Sequence, residues 1–298
     1  MSETIKKNSI CAVVVTYNRK ELLCECIEAL LAQTFKEFDI LVVDNHSTDG
    51  TYDALNKYLG RIVYEDTGYN LGGAGGFQYG LRKVESKGYE YAWIMDDDCI
   101  VQKDALEQLV SFTNVQHNFG FLSSKVLWTD GSLCNMNIQR RKLTKKVTEF
   151  DNSQIEVCMS TFVSLFIPIK VVRKVGLPIK EFVIWSDDLE YTRRISKEYS
   201  CYLIPTSVVL HKTKNNSGAN IALDSEERIE RYRYAYRNEM YLYKREGLKG
   251  IIHIFIRTPL HLLRVLIYSK SKKCHRMRTI LGGTFDGFKF CPVIEYIE

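Results

Sequence analysis

Three consecutive carboxylates, Asp96-Asp97-Asp98, follow the apolar run Trp93-Ile94-Met95 in this 298-residue chain. Like charges packed this closely repel unless a cation neutralises them. Carboxylate oxygens are hard ligands that suit Mg²⁺ or Mn²⁺, ions commonly shared with substrate phosphates. On an extended chain, Asp96 and Asp98 would point to the same side. A second acidic stretch, Trp185-Ser186-Asp187-Asp188-Leu189-Glu190-Tyr191, lies further along. It suits either a helix N-cap or a general acid–base pair. The glycine run Asn70-Leu71-Gly72-Gly73-Ala74-Gly75-Gly76-Phe77 allows close backbone approach to a ligand ahead of a helix N-terminus, which favours anions. It lacks the Lys-Ser/Thr of a phosphate-binding loop.

These residues need elements to hold them. Ile10 to Val15, Ile40 to Val43, Arg61 to Tyr64 and Tyr91 to Met95 read as short buried strands. Helical patterns follow each: Glu21 to Thr34, Thr51 to Tyr58, Phe77 to Lys87 and Lys103 to Thr113. Strand, loop and helix in repeated succession predict an α/β fold with a mostly parallel, doubly wound sheet, which binds ligands at the carboxyl ends of its strands. The acid cluster and the glycine run both sit at such ends. Further strands are expected over Gly120 to Val126, Val157 to Ile167 and Ser200 to Leu210, with a helical segment after Leu223.

The set Val14-Val15-Thr16-Tyr17-Asn18-Arg19, a strand ending in Val42-Val43-Asp44-Asn45, and the aspartate cluster after the fourth strand resembles family 2 glycosyltransferases, from Ile10 to Lys212. That resemblance implies a GT-A fold and an inverting sugar transfer from a nucleotide-diphospho-sugar. It implies that Thr16 and Tyr17 contact the nucleobase, that Asp44 accepts a hydrogen bond from uracil, and that Asp96 lies near the ribose. Asp98 would be a metal ligand, with Asp97 beside the donor. Asp188 would be the general base and Asp187 its neighbour. The glycine run is similar to that of bacterial galactofuranosyltransferases and some rhamnosyltransferases, which makes Asn70, Gly72 and Gly73 donor contacts. In the galactofuranosyl type a histidine after the last strand binds metal, which points to His211 beside Asp96 and Asp98. Trp185 is either an acceptor-stacking ring or a core aromatic.

Composition bounds the rest. Hydrophobic content of 45% with 26% charged residues excludes a disordered chain. The net charge of +5 is uneven, since Arg228 to Lys289 holds 15 Lys/Arg against 4 Asp/Glu. The body is therefore acidic and the C-terminal part strongly basic. A division into a catalytic domain, 1–222, and a helical basic region, 223–298, follows. The apolar stretch Ile251 to Tyr268, broken by His253, Arg257, Pro259, His261 and Arg264, reads as an interfacial membrane contact next to the basic cluster Lys270 to Arg278. Plain packing is the alternative, and no nucleic-acid motif surrounds the Arg-Tyr alternation at 231–237. No spanning helix is expected. The polar start, Met1 to Ser9, gives no signal-peptide pattern. Nine cysteines without a C-x-x-C pair fit reduced thiols. The reading is a cytoplasmic enzyme at the inner face of the cell membrane, using Mn²⁺ or Mg²⁺. It would move galactofuranose from a UDP donor to a polysaccharide (O-antigen or capsule) or lipid-linked acceptor. Its rivals are a rhamnosyltransferase using dTDP-rhamnose and a membrane-peripheral nucleotide-sugar-binding protein without catalysis.

Overall fold

The computed structural model describes residues 9–297; the expectation for Met1 to Asn8 lies outside them. The chain forms two compact units. One holds the chain up to Lys180, Asp188–Asn216 and the tail from Ile294; the other holds Glu181–Asp187 and Ser217–Val293.

The first unit is an α/β sandwich. It runs β1 (Ile10–Thr16), α1 (Lys20–Leu31), β2 (Phe38–Asp44), α2 (Thr51–Leu55), β3 (Val63–Asp66), α3 (Gly72–Ser86), β4 (Tyr91–Asp96), β5 (Cys99–Val101) and α4 (Ala105–Thr113). It continues with β6 (Leu122–Leu127), β7 (Arg140–Lys142), β8 (Lys145–Lys146), β9 (Ile155–Glu156), β10 (Leu165–Pro168), α5 (Ile169–Val175), α6 (Asp187–Ser196) and β11 (Tyr202–His211). The main sheet has the order β3-β2-β1-β4-β10-β6-β11-β5, with β9 beside β11. Strands β3, β2, β1 and β4 are parallel. β10 enters antiparallel between β4 and β6, which makes the far half mixed.

β1 is buried at every position, because helices cover both faces of the sheet. One apolar layer joins Ala12 and Val14 to α1 through Leu23, Ile27 and Leu30. The other joins Val13 and Val15 to α3 through Phe77, Leu81 and Val84. Buried hydroxyls cross the core in a chain: Ser124 Oγ lies 2.6 Å from Ser164 and 2.7 Å from Ser207.

Three expectations change. The glycine run is not a loop before a helix at Phe77; Gly72 already opens α3. A Cβ on Gly76 would come within 2.6 Å of Val15 and one on Gly80 within 2.6 Å of Val13, so these glycines let the helix lie directly on β1. The stretch 157–167 is strand only at its end, in β10. Asp97 and Asp98 form a turn between β4 and β5, so the extended geometry that would align Asp96 with Asp98 does not hold.

The second unit contains α7 (Arg231–Lys244), α8 (Gly247–Tyr268) and α9 (Lys273–Lys289). A single cut after residue 222 does not reproduce the two units, for two physical reasons. Segment 181–187 joins the helices because Asn238 Nδ2 donates to the carbonyls of Phe182, Ile184 and Trp185 at 3.0, 3.1 and 2.9 Å. The tail returns to the first unit because Glu295 pairs with Arg82 at 2.5 Å and Lys180 at 2.6 Å. The expectation of no spanning helix also changes: α8, at 22 residues, is long and apolar enough to cross a membrane by length and composition.

Candidate active site

The site grows from the carboxyl ends of β1, β2 and β4. β1 ends in Thr16, whose Oγ1 donates to Asp97 at 2.7 Å. The chain then turns, with Asn18 at φ 53°. Asn18 N–H donates to Ser47 Oγ at 2.8 Å, and Asn18 Oδ1 accepts from Thr48 N–H at 2.7 Å. The loops after β1 and β2 are thereby fastened together. Asp44 ends β2, buried, with one oxygen accepting from the Ser47 N–H and hydroxyl at 2.9 and 2.6 Å and the other from Tyr64 at 2.8 Å.

Asn45 ties this end of the sheet together. Its N–H donates to Thr16 O at 2.9 Å and its Nδ2 to Gly72 O at 3.1 Å. Its Oδ1 is buried with no hydrogen-bond partner. Asn70 Oδ1 accepts from Gly72 N–H at 2.8 Å, an Asx turn that starts α3. Tyr17 is exposed and Gly73 lies in the first turn of α3. The expected donor residues Thr16, Asp44 and Gly72 are therefore linked through one asparagine.

The acidic centre is tighter. One guanidinium nitrogen of Arg19 lies 3.2 Å from Asp97 Oδ1 and 2.8 Å from Asp98 Oδ2. His211, at the end of β11, places Nε2 3.0 Å from Asp98 Oδ1. Apart from this ion pair, Asp98 Oδ1 has no hydrogen-bond partner. His211 Nδ1 lies 2.8 Å from Asn137 Oδ1. An amide oxygen can only accept, so Nδ1 carries a proton and Nε2 is the nitrogen facing Asp98.

Electrostatics follow from burial and crowding. Burial raises Asp96 to about 7, with Asp98 adding to the effect. Burial also raises Asp97 to about 6, against the pull of Arg19. Asp98 goes the other way: burial is outweighed by His211 and Arg19, which hold it below the usual carboxylate range. His211 rises to about 10, because the contact with Asp98 outweighs burial. Three acids at one strand end are thus balanced by an arginine and a charged imidazole.

Asp98, Cys99 and His211 offer ligand atoms within 4.8 Å of one another. The buried Asp98 Oδ1, paired only with the imidazole Nε2, and that nitrogen itself fit a hard or borderline divalent cation. Cys99 does not complete that set, since burial and the neighbouring Asp98 and Asp96 hold its thiol protonated. Asp96 lies outside this tight group, although its charge is felt by both Asp98 and His211.

The second acidic motif is anchored to the same region. Asn137 Nδ2 donates to Thr161 Oγ1 at 3.0 Å. The next residue back, Ser160, donates its N–H to Thr192 Oγ1 at 3.1 Å, and Thr192 donates to the carbonyl of Asp188 at 2.7 Å. One relay thus runs from His211 to Asp188. Burial raises the Asp188 carboxyl to about 6, opposed by the Leu189 N–H and by Arg140. Val183, Trp185 and Ser186, just before it, all have positive φ, a strained approach of the kind that concentrates at functional sites. Asp187 is buried in the second unit. Trp185 packs there on Tyr232, ring centroids 4.9 Å apart, with Arg228 over its face at 5.8 Å.

Arg19, Asn45 and Asn137 were not assigned roles from sequence. Arg19 and Asn45 stood inside the recognised motifs, whereas Asn137 carried no signal.

With this geometry in view, relatives can be compared. Residues 11–124 match the description Glycosyl transferase family 2. That stretch, which holds β1 to β4 and the acid cluster, is similar to the family 2 glycosyltransferases. Over 261 residues the chain is 26% identical to galactofuranosyltransferase GlfT1 of Mycolicibacterium smegmatis, covering 82% of this chain and 85% of that one. Among solved structures, TarS 1-349 of S. aureus in complex with UDP aligns with a TM-score of 0.55 at 16% identity, over 94% of this chain and 73% of that one. The chain spans 44% of the longer TarS chain. GalNAc-T7 with UDP, GalNAc and Mn²⁺ aligns with a TM-score of 0.58 at 14% identity, over 81% of this chain and 52% of that one. The fold these glycosyltransferases share with it is GT-A.

Proposed function

We propose that this glycosyltransferase moves galactofuranose from UDP-galactofuranose onto a hydroxyl of a cell-surface glycan or its lipid-linked precursor, with inversion. The observation that carries the reading is the buried Asp98 Oδ1 paired only with His211 Nε2, at 3.0 Å, just past the carboxyl end of β4. The galactofuranosyl choice is supported by the likeness to GlfT1. The UDP choice is supported by the shared fold of a TarS structure that contains UDP.

Asp98 and His211 would hold a divalent cation, with Asp96 contributing charge. Such an ion would stabilise the negative charge that grows on the departing diphosphate. Thr16 keeps Asp97 turned inward, and Asn45 fixes Gly72 against the end of β1, which shapes the donor cradle. Asp188 is the base: it accepts the acceptor hydroxyl's proton as that oxygen bonds the anomeric carbon, and the bond from that carbon to the diphosphate breaks. Its raised proton affinity, near 6, keeps it ionised at neutral pH yet able to hold a proton.

Calorimetric titration of UDP into the protein tests the donor site. Binding should require Mn²⁺, vanish with EDTA and vanish in Asp98→Ala. A panel of UDP-galactofuranose and dTDP-rhamnose then decides the sugar. Turnover of dTDP-rhamnose alone would establish the rhamnosyltransferase reading instead.

A further inference from the structure

Helix α8 is built inside out. Its inward face carries its polar groups. Arg257 makes a two-pronged ion pair with Glu239 of α7. His261 Nδ1 lies 2.7 Å from the Tyr236 hydroxyl. His253 stacks on Tyr243 at 4.4 Å between centroids. These partners descend α7 as α8 ascends, so the two helices lie antiparallel along their length.

The outward face is apolar. Leu248, Ile252, Phe255, Ile256, Leu263 and Ile267 recur at helical spacing and are 73%, 48%, 66%, 59%, 50% and 60% exposed. At 100° per residue they fall on one side of the helix, opposite Ile254 and Val265, which are buried. A surface stripe of this extent on a folded protein marks something that covers it.

The charges choose among coverings. Lys249, Arg264, Lys270, Lys272 and Lys273 are all exposed around this stripe. From Gly247 to Phe285 the sequence contains no Asp or Glu. A symmetric pairing with a second copy would set like charges against each other. An anionic lipid surface takes both features, with apolar side chains entering the acyl boundary and lysines meeting the headgroups. The packing also argues against a span: α7 lies alongside α8 and exposes Arg231 and Arg233, which would be carried into hydrocarbon.

We propose that the outward face of α8 rests in the plane of an anionic bilayer surface, without crossing it. The test is co-sedimentation of the full chain with vesicles of phosphatidylcholine alone or mixed with phosphatidylglycerol. The mixed vesicles should bind at least about tenfold more protein, with the difference shrinking at high salt. The triple variant Phe255→Ser, Ile256→Ser, Leu263→Ser should lose binding while keeping the same melting temperature, since these side chains face outward. Replacing Lys270, Lys272 and Lys273 with Gln should remove the preference for phosphatidylglycerol. Absence of vesicle binding would overturn the proposal. So would protein that resists alkaline carbonate extraction, which would mean a span. A dimer in light scattering that the triple serine variant dissolves would assign the face to a second copy.

Discussion

His211 meets Asp98 as an ion pair, and that pairing sets the pH behaviour of the centre. A cation on Nε2 must displace the proton that the histidine holds up to about 10. Mn²⁺ affinity should therefore rise steadily from pH 6 to pH 9, with proton release seen as a buffer-dependent heat in calorimetry. In the metal-free protein the sign is opposite for stability. The raised affinities of His211, Asp96 and Asp97 bind extra protons in the folded state, so their contributions are greatest at low pH and fade as pH rises through those values. The lowered Asp98 works the other way and loses its contribution only as pH falls below the usual carboxylate range. Asn137→Ala should weaken Mn²⁺ binding about 10- to 100-fold by freeing the ring it orients, measured by the same titration. Asp188→Asn should lower kcat about 10²- to 10⁴-fold with UDP affinity unchanged. In the native protein, kcat should fall below about pH 6 as that carboxylate takes up its proton.

Helix α3 shows what an element's sequence can and cannot reveal. Its glycines suggested a ligand loop, because glycine next to a helix start commonly serves one. Gly76 in that run and Gly80 beyond it lie against Val15 and Val13, a packing use the run did not announce. Sequence periodicity reports which face is apolar but not how close the facing strand comes, so that use was hidden. Gly80→Val should destabilise the protein by about 1–3 kcal/mol, read from chemical denaturation, since the stiff Val13 side chain has little room to yield. The parallel strands β1, β2 and β4 were legible because both-face burial writes itself as continuous Val and Ile. The antiparallel entry of β10 was not, because its pairing with β4 and β6 joins segments far apart in sequence. The same distance explains Asn137: nothing local marks it, yet the fold brings it to His211. Asp98 and His211, by contrast, were singled out by motif position, and the fold brings their side chains within 3.0 Å.

At the scale of the whole molecule, the basic excess between Arg228 and Lys289 and the inverted polarity of α8 belong to one unit, while the candidate metal ligands belong to the other. The proposed recognition of a lipid surface and the proposed chemistry on a donor would thereby be encoded in separate units of one chain. The backbone passes between those units at four points: after Lys180, Asp187, Asn216 and Val293. Protein topology of this kind resists dissection. A chain ended at residue 222 would leave three carbonyls of 182–185 without the amide that binds them and would remove the Glu295 partner of Arg82 and Lys180. It should melt at lower temperature than the full chain and give a broader transition in calorimetry. Gene fusion or domain exchange at any one of the four crossings would cut such ties, so the helical unit is wired into the chain as an inset rather than appended as a detachable module.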